Sequence, residues 1–393
     1  MLLNVNEAKS AILQQVKTLT PIKLALMDAL GHVLAGDIYA TLDIPAFKQS
    51  SMDGYAVRYE DRMHALSVVG EMAAGTSSIM GISSGETARI FTGAPVPEGA
   101  DTVVMQEKVT VESGRITIQD PLLKHGSNTR EQGSEVKSGA LAIQQGTFLT
   151  PAALGFLAGI GETEVLVYPM PKVGIILTGR ELQSPGQPLS AGQVYESNSF
   201  SLRGALAKAG VDETAVYFAD DDLQTLTDVL AEALAANDLV ILTGGVSVGD
   251  YDFVVEAAMR CGVEKIFHKV KQKPGKPLYF GTLGNKLIFG LPGNPSSVLN
   301  CFYQFVLPAV EAIAGKAVNE RLVEAILETP YEKTAGLTHF VKAIYHDGHV
   351  RPLGAQESFR MSSFASANSM IRLEEDRTSC SAGEKVMVYL LPE

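Results

Sequence analysis

Residues 238–245 read Asp-Leu-Val-Ile-Leu-Thr-Gly-Gly. From Leu239 to Leu242 no polar face is left, so a strand here must be covered on both sides, as parallel strands between helix layers are. The break at Thr243-Gly244-Gly245 marks its carboxyl end. The same plan recurs in both directions. Val173–Thr178 is another apolar run, followed by Thr178-Gly179-Arg180-Glu181, and Lys286–Leu291 is another, followed by Pro292-Gly293-Asn294-Pro295-Ser296-Ser297. Helical stretches lie between them. Asn198 is placed to cap a helix that reaches Lys208 and stops at Gly210, and Leu223, Leu226, Leu230 and Leu234 recur on one helical face. A last helix is expected from Ser296 to Ala314, kinked at Pro308. Strand and helix alternate from Pro171 to about residue 317. That alternation predicts helices on both faces of a largely parallel sheet, with ligands at the carboxyl ends of its strands.

The flanks have a different texture. Val5, Ala8, Ile12 and Val16 fall on one face of a helix over 5–17, and Leu24–Leu30 reads as a second helix stopped by Gly31. Over 42–140 glycine and proline recur, and short runs such as Val109–Val111 and Arg115–Ile118 read as strands and hairpins. Pro151–Ala158 reads as a helix with proline in its first turn. Beyond residue 317 the helical period is lost, and Phe340–Tyr345 and Lys385–Leu391 alternate as strands of a small all-β module.

Bulk properties narrow the function. A chain of 393 residues has room for about two to four domains. A net charge of −12 argues against general nucleic-acid binding and against an anionic membrane surface. The longest apolar stretch, near Ala152–Ile160, is too short to cross a bilayer, and Glu7 and Lys9 do not suit a signal peptide. Cys261, Cys301 and Cys380 are widely spaced, so neither a zinc site nor a disulfide framework is indicated, and a reducing cytoplasm is expected.

The polar segments after the strands carry the chemistry. A parallel sheet brings the Thr178, Asp220-Asp221-Asp222, Thr243 and Pro292 segments to one edge. Gly244 and Gly245, with Ser247 in the same loop, allow backbone N–H groups to approach phosphate closely. A helix starting at Ser296 adds positive partial charge. Glu181, Asp220 and Asp252 have the oxygen ligands a hard cation such as Mg²⁺ takes. Taken singly, each segment reads as a mere turn, and Asp220–Asp222 as a solvated helix start; four at strand ends favour a site. Lys265, Lys269, Lys271, Lys273 and Lys276 fall within twelve residues that contain no acid. They read either as an anion clamp or as a lysine-rich edge strand that resists aggregation. Gly275-Lys276 is followed by Pro277, so this is not a Walker A loop. Gln49–Val57 holds Asp53 in an Asp-Gly turn, and Thr92 in Phe91–Pro97 either meets an oxyanion or caps its own turn. His346 and His349 form an isolated pair, weak as a metal site.

Together these stretches resemble the MoeA family, which includes the gephyrin E-domain. The matches are SSMDGYAV (50–57), TGAPVPEGADTVVMQE (92–107), TGREL (178–182), GQVYESN (192–198), TGGVSVGDYD (243–252), KPGKP (273–277), GLPGNPSS (290–297) and SSF (362–364), in family order over nearly the whole chain. The resemblance implies a multidomain α/β plus β fold. Residues 1–45 with 138–168 would form a discontinuous linker and dimerisation domain, and 46–137 a β-rich domain. Residues 169–317 would form a Mog-like three-layer α/β/α domain that binds molybdopterin, and 318–393 a C-terminal β-barrel.

It also implies a cytoplasmic homodimer acting as a molybdopterin molybdenumtransferase. Such an enzyme inserts molybdate into adenylylated molybdopterin with release of AMP, with Mg²⁺ as the divalent cation. The adenylyltransferase and chaperones of apo-molybdoenzymes are implied partners. By the same resemblance Asp53, Thr92, Glu181, Asp220 and Asp252 are catalytic, the last three also holding metal. Gly244, Gly245, Ser247, Lys269, Lys273, Lys276, Pro292, Asn294, Pro295, Ser362 and Ser363 bind substrate. Asp53 and Thr92 would reach the cleft from the partner subunit. Three positions depart from the family pattern: Arg180 replaces a common Asp, Lys342 stands where a relative has Arg and so offers no bidentate grip on an oxyanion, and Glu135 replaces an Asp. Two other functions compete, a molybdopterin adenylyltransferase and a non-catalytic scaffold. The first needs only the Mog-like part, and the second is disfavoured by the lack of a long linker.

Overall fold

The computed structural model describes residues 2–245 and 253–392, so Ser247 and Asp252 lie outside the described residues. The chain forms two units, Met1–Leu24 with Ala29–Ala35 and Leu166–Glu393, and Ala25–Asp28 with Gly36–Val165.

In the first unit a six-stranded sheet runs in the order Thr214–Ala219, Val173–Thr178, Leu239–Thr243, Lys286–Leu291, Tyr279–Leu283, Glu264–His268. The first four strands are parallel; Tyr279–Leu283 runs antiparallel beside the fourth, and Glu264–His268 pairs antiparallel with it at the edge. Successive side chains of a strand point to opposite faces, and the apolar runs use both. Ile175, Leu177, Ile241 and Phe289 pack with Leu202 and Leu206 of the helix Asn198–Lys208 and with Phe302 and Phe305. Ile176, Val240, Leu242 and Ile288 pack with Leu226, Leu230 and Leu234 of the helix Leu223–Ala236 and with Val254 and Ala257. Two separate cores on one sheet are what continuous apolar strands require.

Four expectations about helices are corrected. Leu24–Leu30 is not a helix. Ile22–Ala25 is a strand, and the chain then turns to Gly31 at φ +79°. The Leu26 N–H goes to the Thr163 carbonyl at 2.9 Å, not into a helical turn, and Leu26 and Ala29 are buried while Met27 and Leu30 stay largely exposed. Asn198 does not cap its helix. Its amide donates to the Gly293 carbonyl at 2.9 Å, and the Glu196 carboxylate instead takes the Ser199 N–H and hydroxyl at 2.6 and 2.7 Å. The helix from the Pro292 loop is not one regular spiral up to Pro308. It runs Pro295–Cys301, widens to a π turn over Phe302–Val306, and resumes at Leu307–Ile313 with Pro308 in its first turn. The wide turn removes the demand for a bond from the missing proline N–H before the regular spiral restarts. The first helix is also shorter than its pattern, Val5–Leu13, closed by a capping box between Asn4 and Glu7.

The carboxyl-terminal part of this unit is a closed five-strand barrel. Thr338–His346 pairs with His349–Pro352, then Leu322–Leu327, Lys385–Leu390 and Ser369–Leu373 follow, and the last pairs back onto the first. Closure leaves no exposed edge among these strands. Gln272–Lys273, inside the lysine-rich segment, adds in parallel to Thr338–His339 and so ties that segment to the barrel.

The second unit holds another six-stranded sheet, in the order Thr102–Met105, Gly54–Val57, Glu86–Ile90, Leu66–Met72, Arg115–Ile118, Val109–Glu112. Its last two strands are the hairpin expected from the sequence. The helix Pro151–Gly159 is present, capped by the Thr150 hydroxyl. Among the described residues no helix is long and apolar enough to cross a membrane.

Candidate functional site

Three polar segments end parallel strands of the first unit and meet there. A cavity of about 920 Å³ is lined by Thr178, Glu181, Asn198, Gly244, Pro295 and Phe359, among others. A recess of about 370 Å³ adjoins it through Gly245, Gly293 and Asn294, and its far wall carries Lys273, Lys276 and Pro292. A third recess, of about 300 Å³, shares Gly179 and Arg180 with the main cavity and contains Asp220. The structure therefore gathers Glu181, Asp220, Gly244, Gly245, Lys273, Lys276, Pro292, Asn294 and Pro295 at one end of the sheet. Lys269, Ser362 and Ser363 line none of these three spaces. The Lys269 N–H donates to Leu278, and the Ser363 hydroxyl donates to the Ala355 carbonyl at 2.7 Å.

Glycine is required at the centre. Gly244 has φ +90°, Gly245 has φ +62°, and the Gly244 N–H donates to the Leu291 carbonyl of the next strand at 3.1 Å. A Cβ on Gly244 would sit 2.6 Å from the Thr178 hydroxyl and 3.0 Å from the Thr178 carbonyl oxygen. The lysine segment divides by role. Lys265 lies on the edge strand Glu264–His268, and Lys271 pairs with Glu375 at 3.2 Å. Lys273 and Lys276 are exposed on the recess wall, next to a turn whose Gly275 packs on the buried Cys301 thiol. The edge-strand reading suits Lys265, and Lys273 and Lys276 stand where the anion-clamp reading needs them.

The acids divide likewise. Asp222 caps the helix Leu223–Ala236: the Thr225 hydroxyl and N–H, with the Gln224 N–H, hold its carboxyl below the usual carboxylate range. Asp221 accepts the Arg180 N–H at 3.3 Å. Glu181 and Asp220 are the exposed carboxylates facing neighbouring spaces. Among the described residues no three His, Cys, Asp or Glu side chains are grouped to hold a metal ion. His346 and His349 merely face each other across an exposed hairpin.

Sequence reasoning missed two contributors. Glu196 is a buried acid on the cavity wall, and Asn198 beside it is buried with an unpartnered Oδ1. Their signal was the run 192–198, matched to the family as a stretch but given no site role, with Asn198 read as a helix cap. The second contributor is a strap, residues 353–361, that reaches from the barrel to the cavity. The ammonium of Lys342, 2% exposed, donates to the carbonyls of Ala355, Arg360 and Glu357 at 2.9, 3.1 and 3.5 Å. Burial lowers its pKa. The Gln356 amide brackets the Lys342 backbone at 3.0 and 2.8 Å. Ser358 then meets the Pro292 loop, its hydroxyl accepting from Asn294 at 3.0 Å and its carbonyl from the Ser296 N–H at 3.1 Å. The Ser296 N–H at that helix start is thus committed to the strap.

In the second unit the two quoted motifs are bonded together. The Ser50 N–H donates to Ala94 and the Gly93 N–H to Ser50, at 3.0 and 2.8 Å. Asp53 Oδ1 accepts both the Thr92 N–H and the Thr92 hydroxyl at 2.8 Å. Those two bonds, aided by Arg89, hold the Asp53 carboxyl below its ordinary range. A depressed folded value means the pair contributes stability above the unfolded pKa and loses it as pH falls through the folded one. Thr92→Val is therefore expected to raise the Asp53 pKa toward the ordinary carboxylate value. The backbone N–H bond survives this change, so the rise should be partial; carboxyl-carbon NMR titration reads it directly, and an unmoved value would remove the Thr92 hydroxyl as a cause.

Comparison with known proteins covers the chain in three parts. Residues 3–161 match the MoeA N-terminal region (domain I and II), 174–312 a probable molybdopterin binding domain, and 324–391 the MoeA C-terminal region (domain IV). A Haemophilus influenzae protein named molybdopterin molybdenumtransferase is 37% identical over 98% of this chain and 98% of its own. A Staphylococcus aureus protein of the same name is 34% identical over 98% of this chain and 95% of its own. A crystal structure of the Pyrococcus horikoshii molybdopterin biosynthesis MoeA protein superposes with a TM-score of 0.85, at 31% identity over the whole of both chains.

Proposed function

The chain belongs to the MoeA family, and from that premise we infer that it is a molybdopterin molybdenumtransferase. It inserts molybdenum from molybdate into adenylylated molybdopterin and releases AMP. One observation carries the assignment to this site: the glycine turn at Gly244, the Pro292 loop and the lysine turn at 273–276 form adjoining spaces at the end of the parallel sheet. A pyrophosphate-linked pterin needs such a combination, with close backbone approach on one side and positive charge on the other. Lys273 and Lys276 bind molybdate or phosphate oxygen, and Gly244, Gly245, Asn294 and Pro295 shape the pterin nucleotide pocket. Asp53 and Thr92 act from the partner subunit of a cytoplasmic homodimer. The four-part division at 1–45 with 138–168, 46–137, 169–317 and 318–393 describes its domains.

The residues present suit Mg²⁺. That ion keeps several waters and takes one or two carboxylates together with substrate phosphates. Glu181, exposed on the cavity wall, and Asp220 in the adjoining recess are the candidate carboxylates, with Asp252 a third from the sequence. A bound cation would neutralise pyrophosphate charge. The chain's own contribution is to hold the anhydride between the lysines and the glycine turn. An oxygen of molybdate or water can then displace AMP.

A single-turnover assay with adenylylated molybdopterin and molybdate should release AMP. Chelation of divalent cations should slow that release by about ten-fold or more, and Mg²⁺ should restore it. AMP release indifferent to chelation would remove the cation from the proposal. Formation of adenylylated pterin from ATP and molybdopterin would instead favour the adenylyltransferase reading, which leaves the second unit and the barrel without a task.

A further inference from the structure

Phe359 is 63% exposed, yet it lies on a segment fixed at both sides. Burying a phenyl ring is favourable, so a solvent-facing one on an immobilised segment is a costly placement unless something covers it. The strap is immobilised through its own backbone. A lysine ammonium has three N–H donors, and the three carbonyls of Ala355, Glu357 and Arg360 take those of Lys342. One residue before Phe359, Ser358 is bonded to Asn294 and Ser296 of the Pro292 loop. The phenyl therefore stands on the wall of the main cavity, beside the glycine turns and Asn198. Its neighbour Arg360 places a guanidinium 5.7 Å from the ring centroid. The other ring on this wall, Tyr195, has its hydroxyl tied to the Gln187 carbonyl at 2.9 Å.

We propose that Phe359 is a stacking platform for a planar fused nitrogen heterocycle of the bound substrate, and that Lys342 is the positioning residue that holds the platform in place. The proposal rests on the transferase reading and adds what that reading lacks, a specificity element supplied by the barrel. Aromatic faces stack on any flat heterocycle, and the adenylylated substrate has two, pterin and adenine. AMP alone and molybdopterin alone separate them. A positioning role for Lys342 also explains why lysine serves where a guanidinium is not needed: its donors are spent on backbone, not on an oxyanion.

The test is calorimetric titration of the full-length protein with adenylylated molybdopterin, AMP and molybdopterin. Phe359→Ala should weaken the adenylylated substrate by roughly ten- to a hundred-fold, the usual worth of one base on one ring. It should weaken one of the two half-ligands in parallel. Phe359→Trp should retain affinity, and Phe359→Leu, which keeps apolar bulk without a ring face, should not. Lys342→Met should reproduce the loss, and the Phe359→Ala, Lys342→Met pair should lose no more than either alone, since both act through one contact. Should Lys342→Met fail to fold, Ser363→Ala releases the strap more gently, and the same lack of additivity is expected.

Wild-type affinity in Phe359→Ala, or in Phe359→Leu, would overturn the platform while leaving the transferase assignment standing. Loss on Tyr195→Ala but not on Phe359→Ala would do the same. Failure of the wild-type protein to bind adenylylated molybdopterin at all would bring down the transferase reading, and this inference with it.

Discussion

Gly244→Ala is expected to lower AMP release by about two orders of magnitude while the chain still folds. Two costs act at once. At φ +90° an L side chain is strained, by about 1–2 kcal/mol. The new methyl would also lie 2.6 Å from the Thr178 hydroxyl and 3.0 Å from the Thr178 carbonyl oxygen. The hydroxyl can rotate, but it already donates to the Thr243 carbonyl at 3.2 Å, and the carbonyl oxygen is backbone of the neighbouring strand. The turn must therefore move, by something near an ångström. Its N–H is anchored to Leu291, so the displacement passes to the Pro292 loop that walls both spaces. Misplacement on that scale is enough to cost about a hundred-fold in a reaction that depends on alignment. Gly204→Ala, in a helix with nothing within 4 Å of the added atom, is the control and should be neutral or mildly stabilising. Single-turnover AMP release with a thermal melt decides. A Gly244→Ala protein within a few-fold of wild type would mean that the turn does not align substrate.

How much of this was legible depended on whether the signal was local. Leu239–Thr243 and Val173–Thr178 announce themselves because every residue is buried on one side or the other, which leaves a continuous apolar run. The meeting of their loops followed from parallel topology alone. Leu24–Leu30 misled because its leucines and methionine look like a helical face, whereas the Leu26 N–H is taken by Thr163, far along the chain. Pro308 misled in the opposite way: its covalent constraint was read correctly, but the chain absorbs it upstream in a π turn that no residue type marks.

The site shows the same division. Gly244, Pro292 and Lys276 stand in short motifs that carry their own geometry. Lys342 does not. It lies in an alternating barrel strand, and its task appears only when residues 355–360 fold back over it. Asn198 looked like a cap because it precedes a helix. Its actual partner, Gly293, is 95 residues away, and no local rule reaches that far.

The same distinction between local pattern and distant contact governs the largest stability effect expected. Gly54 reads as the second half of an Asp-Gly turn, where any loss on substitution would be a matter of backbone freedom. The structure places it elsewhere, inside the strand Gly54–Val57, paired with Ile90 on one side and Met105 on the other. A Cβ on Gly54 would overlap the Val104 carbonyl oxygen and stand 2.8 Å from its carbon. Neither atom belongs to a side chain that can swing aside. Relief requires the edge strand Thr102–Met105 to part from Gly54–Val57, which breaks that pairing and opens the packing of Ala56 against Ile90 and Val103. Overpacking a core side chain costs about 1–3 kcal/mol, and collision with backbone lies at or beyond the top of that range. Gly54→Ala is therefore expected to cost roughly 3 kcal/mol or more in the second unit. Gly36→Ala, with nothing within 4 Å of the added atom, should leave it near wild type. Hydrogen exchange resolved by segment would show protection lost in 54–57 and 102–105 and kept in 173–178. Unchanged protection in the Gly54→Ala protein would mean that the sheet accommodates a methyl there, and that the glycine answers to something other than the approach of the neighbouring strand.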